Sequence, residues 1–314
     1  MSSVTGEEMR EPSGGQGEAG NPATSASAMQ WGKQSSGPGE FLFPQGVAVD
    51  GQGHIYVVET ENHRIQKLSA AGQPVAQWGS QGAGPGQFDS PRGIALDQQG
   101  NVYVGDSENH RIQKLAPDGR PLAQWGEWGA GPGHFKWPGG ITVDSRGSIY
   151  VADVINHRIQ KLTPDGAPVD QWGTEGAGPG ELNYPQDVAV DGQECVYVTD
   201  CDNHRVQKFS SDGRFVTSWG GQGSDPGQLQ FPQGVAIDEA GNVYVVDADN
   251  HRIQKFSPAG QPLAQWSADD GGADRFDGPG GVAIDGQGNL YAADGHNHRI
   301  WRIPGPMFRP FPEN

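Results

Sequence analysis

The sequence predicts an all-β protein, a six-bladed β-propeller whose blades each hold four antiparallel strands. Three observations support this fold class. One phrase, ENHRIQKL at 61–68, returns five more times, and each copy starts 47 residues after the last. Each repeat holds four short runs rich in Val, Ile and Tyr, separated by Gly, Asp and Pro turns. No segment keeps a helical period. The histidines of the six copies are His63, His110, His157, His204, His251 and His298.

The second repeat shows the order of the elements within a blade. Its strands are predicted at 93–97, 102–106, 111–115 and 121–125, and turn residues separate them. The second of these strands is apolar on both faces. Because a sheet with one wet face alternates apolar and polar residues, this strand must be covered on both sides. Neighbouring blades provide that cover.

The ends of the chain predict how the ring closes. A tryptophan ends the fourth strand of the first five repeats, and Trp31 lies one 47-residue period before the first of these tryptophans. The chain therefore opens with a lone fourth strand at about residues 28–32. The last repeat lacks its own fourth strand, because Pro304 and Pro306 follow its third strand. We expect the N-terminal strand to complete the last blade, since this removes two open sheet edges.

Composition sets the domain limits. Residues 1–27 are rich in Gly, Ser and Glu without periodicity, so we expect a disordered tail there. The propeller domain is predicted at 28–304 and a C-terminal tail at 305–314. The start has no secretory signal pattern, and no run of 18 apolar residues predicts a membrane span. We therefore expect a soluble, cytoplasmic, monomeric protein.

Cys195 and Cys201 would lie roughly 20 Å apart in an extended segment, which predicts free thiols.

Charge bears on the class of partner. The chain has 21 Lys and Arg against 38 Asp and Glu, a formal net charge of −17. Nucleic-acid binding depends on neutralising phosphates with basic side chains. The composition therefore disfavours nucleic acid as a partner, and it favours solubility.

The phrases PQGVAVD, IYVVE and NHRIQKL resemble the NHL-repeat family over about residues 28–303. The resemblance implies a six-bladed propeller of the TolB-like class, but a shared fold does not fix function. Relatives in that family include RNA- or protein-binding ends of tripartite-motif ubiquitin ligases, peptidyl-hydroxyglycine amidating lyase and bacterial single-domain proteins. Streptogramin lyase and lactonases have similar propellers. Ligase activity is not carried over, because two cysteines cannot build a RING-type zinc site.

The repeated phrase itself is interpreted as structural. In each repeat an acid that ends the second strand precedes the motif histidine by four residues, and an arginine follows that histidine. A short turn brings these groups together, which predicts a hydrogen-bonded clamp within each blade. Metal ligation by several histidines is the weaker alternative, because six blades form a wide ring and zinc needs ligands about 2 Å away. The acids are Glu59, Asp106, Asp153, Asp200, Asp247 and Asp294, and the arginines are Arg64, Arg111, Arg158, Arg205, Arg252 and Arg299.

Candidate binding residues lie where the repeats differ, on the face that carries the long inter-blade loops. The aromatic candidates are Phe43, Trp128, Trp137, Tyr184 and Phe231. Exposed aromatic side chains around a depression can anchor a peptide or a planar ligand. The competing interpretation is that they pack on neighbouring loops as a small additional core.

Charged departures from the repeat give further candidates. Arg92 and Asp187 replace uncharged residues near the channel mouth. One interpretation is a polar pair that orients a ligand. The favoured alternative is unconstrained sequence variation at a solvated rim, because single exposed charges usually contribute little. The last inter-blade loop carries four aspartates in a Gly-rich setting. They could bind Ca²⁺, although their spacing matches no calcium-binding loop. These aspartates are Asp269, Asp270, Asp274 and Asp277.

Three functions follow in order of preference. The first is a non-catalytic scaffold that binds a protein or peptide on the loop-rich face. The second is a metal-dependent lyase or hydrolase of the peptidyl-hydroxyglycine lyase or streptogramin lyase type, for which His134 would join Asp187 and Arg92. His54, expected on the opposite face, and His296 complete the set of histidines outside the motif. RNA binding is third. No catalytic residue, metal site or cofactor is assigned, with Ca²⁺ or Zn²⁺ as weaker alternatives.

Overall fold

A computed structural model describes residues 27–268 and 275–311 of the chain. Its strands form six antiparallel sheets, and the innermost strands of these sheets contact one another in a closed ring. The predicted six-bladed propeller with four strands per blade is therefore confirmed. Most of the predicted N-terminal tail, residues 1–26, lies outside the described residues.

The strands are numbered along the chain, and each blade runs outward from a central channel. The innermost strands are β2 (Pro44–Val49), β6 (Pro91–Leu96), β10 (Pro138–Val143), β14 (Pro185–Val190), β18 (Pro232–Ile237) and β22 (Pro279–Ile284). The second strands are β3 (Ile55–Glu59), β7 (Val102–Asp106), β11 (Ile149–Asp153), β15 (Val196–Asp200), β19 (Val243–Asp247) and β23 (Leu290–Asp294). The third strands are β4 (Arg64–Leu68), β8 (Arg111–Leu115), β12 (Arg158–Leu162), β16 (Arg205–Phe209), β20 (Arg252–Phe256) and β24 (Arg299–Ile303). The fourth strands of blades one to five are β5 (Pro74–Trp78), β9 (Pro121–Trp125), β13 (Pro168–Trp172), β17 (Phe215–Gly220) and β21 (Pro262–Trp266).

The N-terminal strand completes blade six, as the sequence predicts. Strand β1 (Met29–Trp31) pairs antiparallel with β24, with Gln30 opposite Trp301. The Arg299 Nη1 atom donates a hydrogen bond to Gln30 Oε1 over 2.7 Å. The same bond joins the third and fourth strands elsewhere, as from Arg111 to Gln124 in blade two. The first residues of the described chain thus take the place of an ordinary fourth strand.

The hydrophobic core lies between adjacent blades. Tyr56 and Ile65 of blade one pack with Ile94 and Val104 of blade two, and Phe88 from the loop between the blades joins them. All five residues of each second strand are buried, which agrees with the prediction that neighbours cover both faces. Burial of this apolar surface on both sides of every blade is the main favourable term for the fold.

The fourth-strand tryptophan packs against the next blade. Gly119, in the turn before β9, has a positive φ of 86°, and a Cβ atom at this position would collide with the ring of Trp78. Only glycine meets both requirements, because other residues strain at positive φ and have a Cβ atom. This contact explains why a Trp and a turn Gly recur together in the repeats.

The C-terminal residues add to blade five. After a 3₁₀ helix at Gly305–Met307, the two-residue strand β25 (Arg309–Pro310) pairs with β21 and gives this sheet a fifth strand. The ring of Phe308 is buried and meets Tyr244 edge to face, with centroids 5.3 Å apart. Residues 305–311 of the predicted C-terminal tail therefore pack on the propeller, and 312–314 lie outside the described residues.

Candidate functional site

The loop face is the face of the propeller that carries the inter-blade loops and the turns between second and third strands. Backbone and side-chain hydrogen bonds join these two sets of segments. In blade two, Glu108 N–H donates to Asp89 O, and Asn109 Nδ2 donates to Gly82 O. In three blades the turn is a 3₁₀ helix. These helices are Val154–Asn156, Cys201–Asn203 and Ala248–Asn250.

The motif acid is the centre of a buried hydrogen-bond network. In blade two Asp106 is fully buried, and Arg111 Nε donates to its Oδ2 atom over 2.7 Å. Asn109 Nδ2 and Gln113 Nε2 also donate to this carboxylate. The backbone N–H of Asp89, in the preceding loop, donates to Oδ1 over 2.7 Å. Because a buried charge is costly unless it is paired and hydrogen-bonded, these partners are what permit the acid to lie there.

The motif arginine ties the preceding loop to its blade. Arg111 Nη1 donates to Ala83 O over 2.6 Å, and Nη2 donates to Gly84 O and Gln87 O. Equivalent bonds to loop carbonyls are made in the other blades by Arg64, Arg158, Arg205, Arg252 and Arg299. The inter-blade loops are therefore held at several points within the described residues rather than only at their ends.

The motif histidine connects each blade to the next one. His110 has a left-handed backbone with φ of 54°, and its Nδ1 atom accepts a hydrogen bond from Trp137 N–H over 3.3 Å. His63, His157, His204 and His298 accept from the corresponding N–H groups of the following blades. His251 differs, because its Nδ1 atom lies 2.7 Å from Phe276 O and must donate to that carbonyl.

Four of the five N–H groups held in this way belong to predicted aromatic candidates, and the fifth belongs to Ser90. Phe43, Trp137, Tyr184 and Phe231 have φ between 48° and 61°, a range that bulky residues rarely adopt. Their backbones are held there by the histidine bonds. The ring of Tyr184 also packs edge to face on His157 at 4.7 Å.

Of the aromatic candidates, Trp128 and Tyr184 have exposed side chains, at 58% and 41% of their surface. Trp128 packs edge to face on His110 at 4.6 Å. Phe43 and Phe231 are half-buried. Each of these rings therefore has a packed side, and Trp128 and Tyr184 also keep exposed surface.

Arg92 and Trp137, both predicted candidates, lie in direct contact. The guanidinium carbon of Arg92 lies 4.1 Å from the centre of the Trp137 ring, which is a cation–π arrangement. The Trp137 indole Nε1 donates to Glu108 Oε1 over 2.8 Å. Burial lowers the pKa of Arg92, and the negative charge of Glu108 opposes this shift. Arginine nevertheless stays protonated at neutral pH.

Asp187 occupies a position that is glycine in the other five blades. Its Oδ1 atom accepts from Val188 N–H over 2.8 Å, and Oδ2 accepts from Val235 N–H of blade five over 3.0 Å. Burial raises the pKa of Asp187 to about 7, although the two N–H bonds act in the opposite direction. Its own N–H donates to the hydroxyl of Thr199, which in turn donates to Gln233 O.

The central channel is lined by the six innermost strands and has a volume of about 290 Å³. Arg92 and Asp187 are the charged residues among those that line it. They lie on β6 and β14, with β10 between them. Uncharged side chains and glycines form the rest of the mouth, at Gln45, Gly139, Gln186, Gln233 and Gly280.

The histidines outside the motif lie apart from the channel lining. The Nδ1 atom of His134 lies 3.4 Å from Glu127 Oε1 in an outer loop. His54 pairs with Asp50 in a turn between first and second strands. The structure therefore does not group His134 with Asp187 and Arg92 around the channel.

The proposed calcium loop is only partly described. Asp269, Asp270 and Asp274 lie outside the described residues, and Asp277 Oδ1 lies 3.2 Å from His296 Nδ1. Within 27–268 and 275–311, no three His, Cys, Asp or Glu side chains form a group that could hold a metal ion. In the same ranges, no helix is long and apolar enough to cross a membrane.

Three kinds of residue at the site were not predicted from the sequence. Gln113 and its counterparts bond both the motif acid and the loop, which their recurrence in five repeats could have indicated. Glu108 and Thr199 support the two charged channel residues, and no sequence pattern marks them. Cys201 is buried beside Gln233, and burial with nearby acids raises its pKa to about 12, which makes an unreactive thiol.

The repeats match a known family model. The model of the NHL repeat matches six segments that together cover more than half of the chain, at 41–68, 88–115, 135–162, 182–209, 229–256 and 276–303. No curated protein matches the sequence.

Several solved structures are similar in fold. A streptogramin B lyase is 15% identical, with 88% of this chain and 97% of that chain covered and a TM-score of 0.62. A gluconolactonase from Xanthomonas campestris is 17% identical, with 84% and 86% covered and a TM-score of 0.63. A chain of a nidogen/laminin complex is 22% identical, with 71% and 79% covered and a TM-score of 0.55. At these identities the likeness shows the propeller fold alone.

Proposed function

Because this chain belongs to the NHL-repeat family, we propose that it is a non-catalytic scaffold that binds a protein or peptide on its loop face. The observation that carries the proposal is the pair of exposed aromatic side chains on the loop face, Trp128 and Tyr184. Trp128 and Tyr184 each pack one edge or face against a histidine and remain exposed, and the Lys136 ammonium also lies 5.4 Å from the centre of the Trp128 ring. Aromatic side chains held in this way commonly anchor protein interfaces.

The rigidity of the loop face supports the same function. Within the described residues, the arginine, histidine and carboxylate bonds hold the loops to their own blade and to the neighbouring one. A surface that is ordered before binding loses little conformational entropy when the partner arrives. The loop face therefore has the properties of a preformed docking platform.

Charge favours a protein partner over RNA. Exposed acids lie on the turns of the loop face, at Glu61, Glu108, Asp202 and Asp249, and Asp89 on a neighbouring loop is half-buried. Such a surface repels phosphates, whereas polar and aromatic contacts with a peptide do not require a basic face. RNA binding is for this reason the weakest of the three functions.

A lyase or hydrolase is the second candidate, and Asp187 is the observation that favours it. A carboxylic acid whose pKa is near 7 can act as a general acid or base at neutral pH. Assay of the purified chain with a streptogramin B substrate and with gluconolactone, each with and without added Mg²⁺, Ca²⁺ or Zn²⁺, tests this candidate. Turnover that Asp187→Asn abolishes would replace the scaffold proposal.

The scaffold proposal is tested by partner capture. The tagged wild-type chain is immobilised and exposed to a lysate of the cells that express it, and the retained proteins are identified by mass spectrometry. The double variant Trp128→Ala/Tyr184→Ala should lose most of the specific partner, because these rings supply the exposed anchors.

The matched control is Leu122→Ala/Val169→Ala, which removes two exposed apolar side chains from the outer strands β9 and β13. This control should retain the partner. Equal retention by both double variants would show that the loop face is not the binding surface.

The proposal also includes a monomeric state and a cytoplasmic location. Cys195 and Cys201 carry free thiols, which fit a reducing compartment. Light scattering of the purified chain should give the mass of one chain, and fractionation of the native cells should find it in the cytoplasm.

A further inference from the structure

Arg92 differs from the motif arginines in what its guanidinium contacts. Arg111, as one example, donates hydrogen bonds to a buried carboxylate and to several loop carbonyls. Arg92 Nε is buried and has no hydrogen-bond partner among the described residues, where Arg92 also forms no ion pair. The enclosed Nε–H is out of reach of a ligand, so an anion would meet the Nη groups of a guanidinium that has no paired carboxylate among the described residues.

The surroundings of Arg92 hold its guanidinium in one orientation. Its guanidinium carbon lies 4.1 Å from the centre of the Trp137 ring, which is a cation–π contact. Trp137 is itself fixed, because its backbone N–H donates to His110 and its indole donates to Glu108. Stacking uses the face of the guanidinium and leaves the N–H groups along its edge, which is the edge that matches the two oxygens of a carboxylate.

The charge of the channel limits the ligand to a single negative group. Arg92 is the cation among the lining residues, and Asp187 is the acid. A polyphosphate would need several cations and would meet the acids of the loop face. One carboxylate needs one guanidinium, and every unmodified peptide carries such a group at its C-terminus.

We propose that the channel mouth binds the C-terminal carboxylate of a peptide through the guanidinium of Arg92, which Trp137 holds in place. This inference rests on the proposed scaffold function, which supplies the peptide as the ligand class. The exposed rings of Trp128 and Tyr184 then contact residues upstream of the C-terminus.

The test compares peptides that differ only at their last group. A fluorescein-labelled random hexapeptide library with free C-termini is titrated with the full chain, in parallel with the same library as C-terminal amides. Loss of a charged hydrogen bond weakens binding by about ten-fold or more. The free acids should therefore bind at least about ten-fold more tightly than the amides. Propionate, as the minimal carboxylate, should shift the Nε–H resonance of Arg92 in an NMR spectrum.

The variant that removes the charge is Arg92→Gln. The fold accommodates glutamine here, because Gln45, Gln186 and Gln233 occupy the same position in other blades. This variant should bind acids and amides equally. Arg214→Gln is the matched control, since Arg214 is exposed in a turn that leads to a fourth strand, and it should behave as the wild type.

Three outcomes would overturn the inference. They are equal binding of acids and amides by the wild type, an unchanged preference in Arg92→Gln, and a response to propionate without any preference for peptide acids. In each of these cases the scaffold proposal is judged separately, by whether Trp128→Ala/Tyr184→Ala loses the captured partner. Loss of that partner with no preference for acids would keep the scaffold and reject the C-terminal site.

Discussion

Asp153 shows how single side chains hold a blade together. It is fully buried, and Arg158, Asn156, Gln160 and the N–H of Lys136 all donate to its carboxylate. The loop, the turn and the third strand of blade three therefore meet at one side chain. The residue type and spacing predicted such a clamp, and the structure adds the loop contacts.

Replacing this acid should destabilise the whole domain. Asp153→Asn keeps the shape but leaves Arg158 without its buried counter-charge, which should lower the free energy of unfolding by roughly 3 kcal/mol. Urea denaturation followed by tryptophan fluorescence measures this difference. Asp165→Asn, an exposed acid of the same blade, should change stability little. Equal effects of the two variants would show that the clamp is not a stabilising element.

Asp187 should make stability depend on pH in an unusual direction. Its pKa is about 7 in the folded chain and near 3.8 when exposed, so the folded state binds more protons between these values. Stability due to this group is then highest below about pH 4, falls as pH rises to about 7, and changes no further above it. Each pKa unit corresponds to about 1.4 kcal/mol.

Asp187→Gly, which restores the glycine of the other blades, should remove this dependence. The variant should gain stability over the wild type by a few kcal/mol between about pH 4 and 7, as the pKa shift requires. Denaturation at several pH values measures the gain, with Glu175→Gln as an exposed control. A gain that does not grow with pH would mean that Asp187 is not protonated in the folded chain.

At the scale of elements, the N-terminal strand completes one blade and the C-terminal strand extends another. Strand β1 supplies the fourth strand of blade six, and β25 adds a fifth strand to blade five. The sequence predicted the position of β1, because Trp31 lies one 47-residue period before Trp78, the first of the fourth-strand tryptophans. Strand β25 lies after the last repeat and matches no part of the 47-residue pattern, so its position is known only from the structure.

Deletion of the N-terminus tests ring closure. Removing residues 1–33 should lower the melting temperature by on the order of 10 °C, because blade six loses β1 and the bond from Arg299 to Gln30. Removing residues 1–26 should leave the melting temperature nearly unchanged. Circular dichroism on heating measures both deletions. A similar loss in both would contradict closure by β1.

At the scale of the whole molecule, the repeated acids, histidines and arginines hold blades and loops together around the closed ring. Two charged departures from the repeat, Arg92 and Asp187, line the central channel. The net charge of −17 acts over the entire surface and selects against polyanions.

This charge predicts that the chain does not retain RNA. Random single-stranded RNA should show no complex with the purified chain at about 0.15 M salt, because the few cations of the loop face are outnumbered by acids. An electrophoretic mobility assay measures this. A stable complex at that salt concentration would replace the protein partner in the proposed function.

The sequence by itself determined the number of blades, the strand order and the closing strand. These features follow from the 47-residue period and from the alternation of apolar strands with turn residues. Both patterns can be read from each segment of the sequence by itself. The tertiary structure alone decided the chemistry of the channel mouth. Trp137 meets a histidine 27 residues away, and Asp187 meets Val235 in the next blade, 48 residues away. Such contacts depend on how whole blades pack and twist against each other, and no local pattern specifies that geometry.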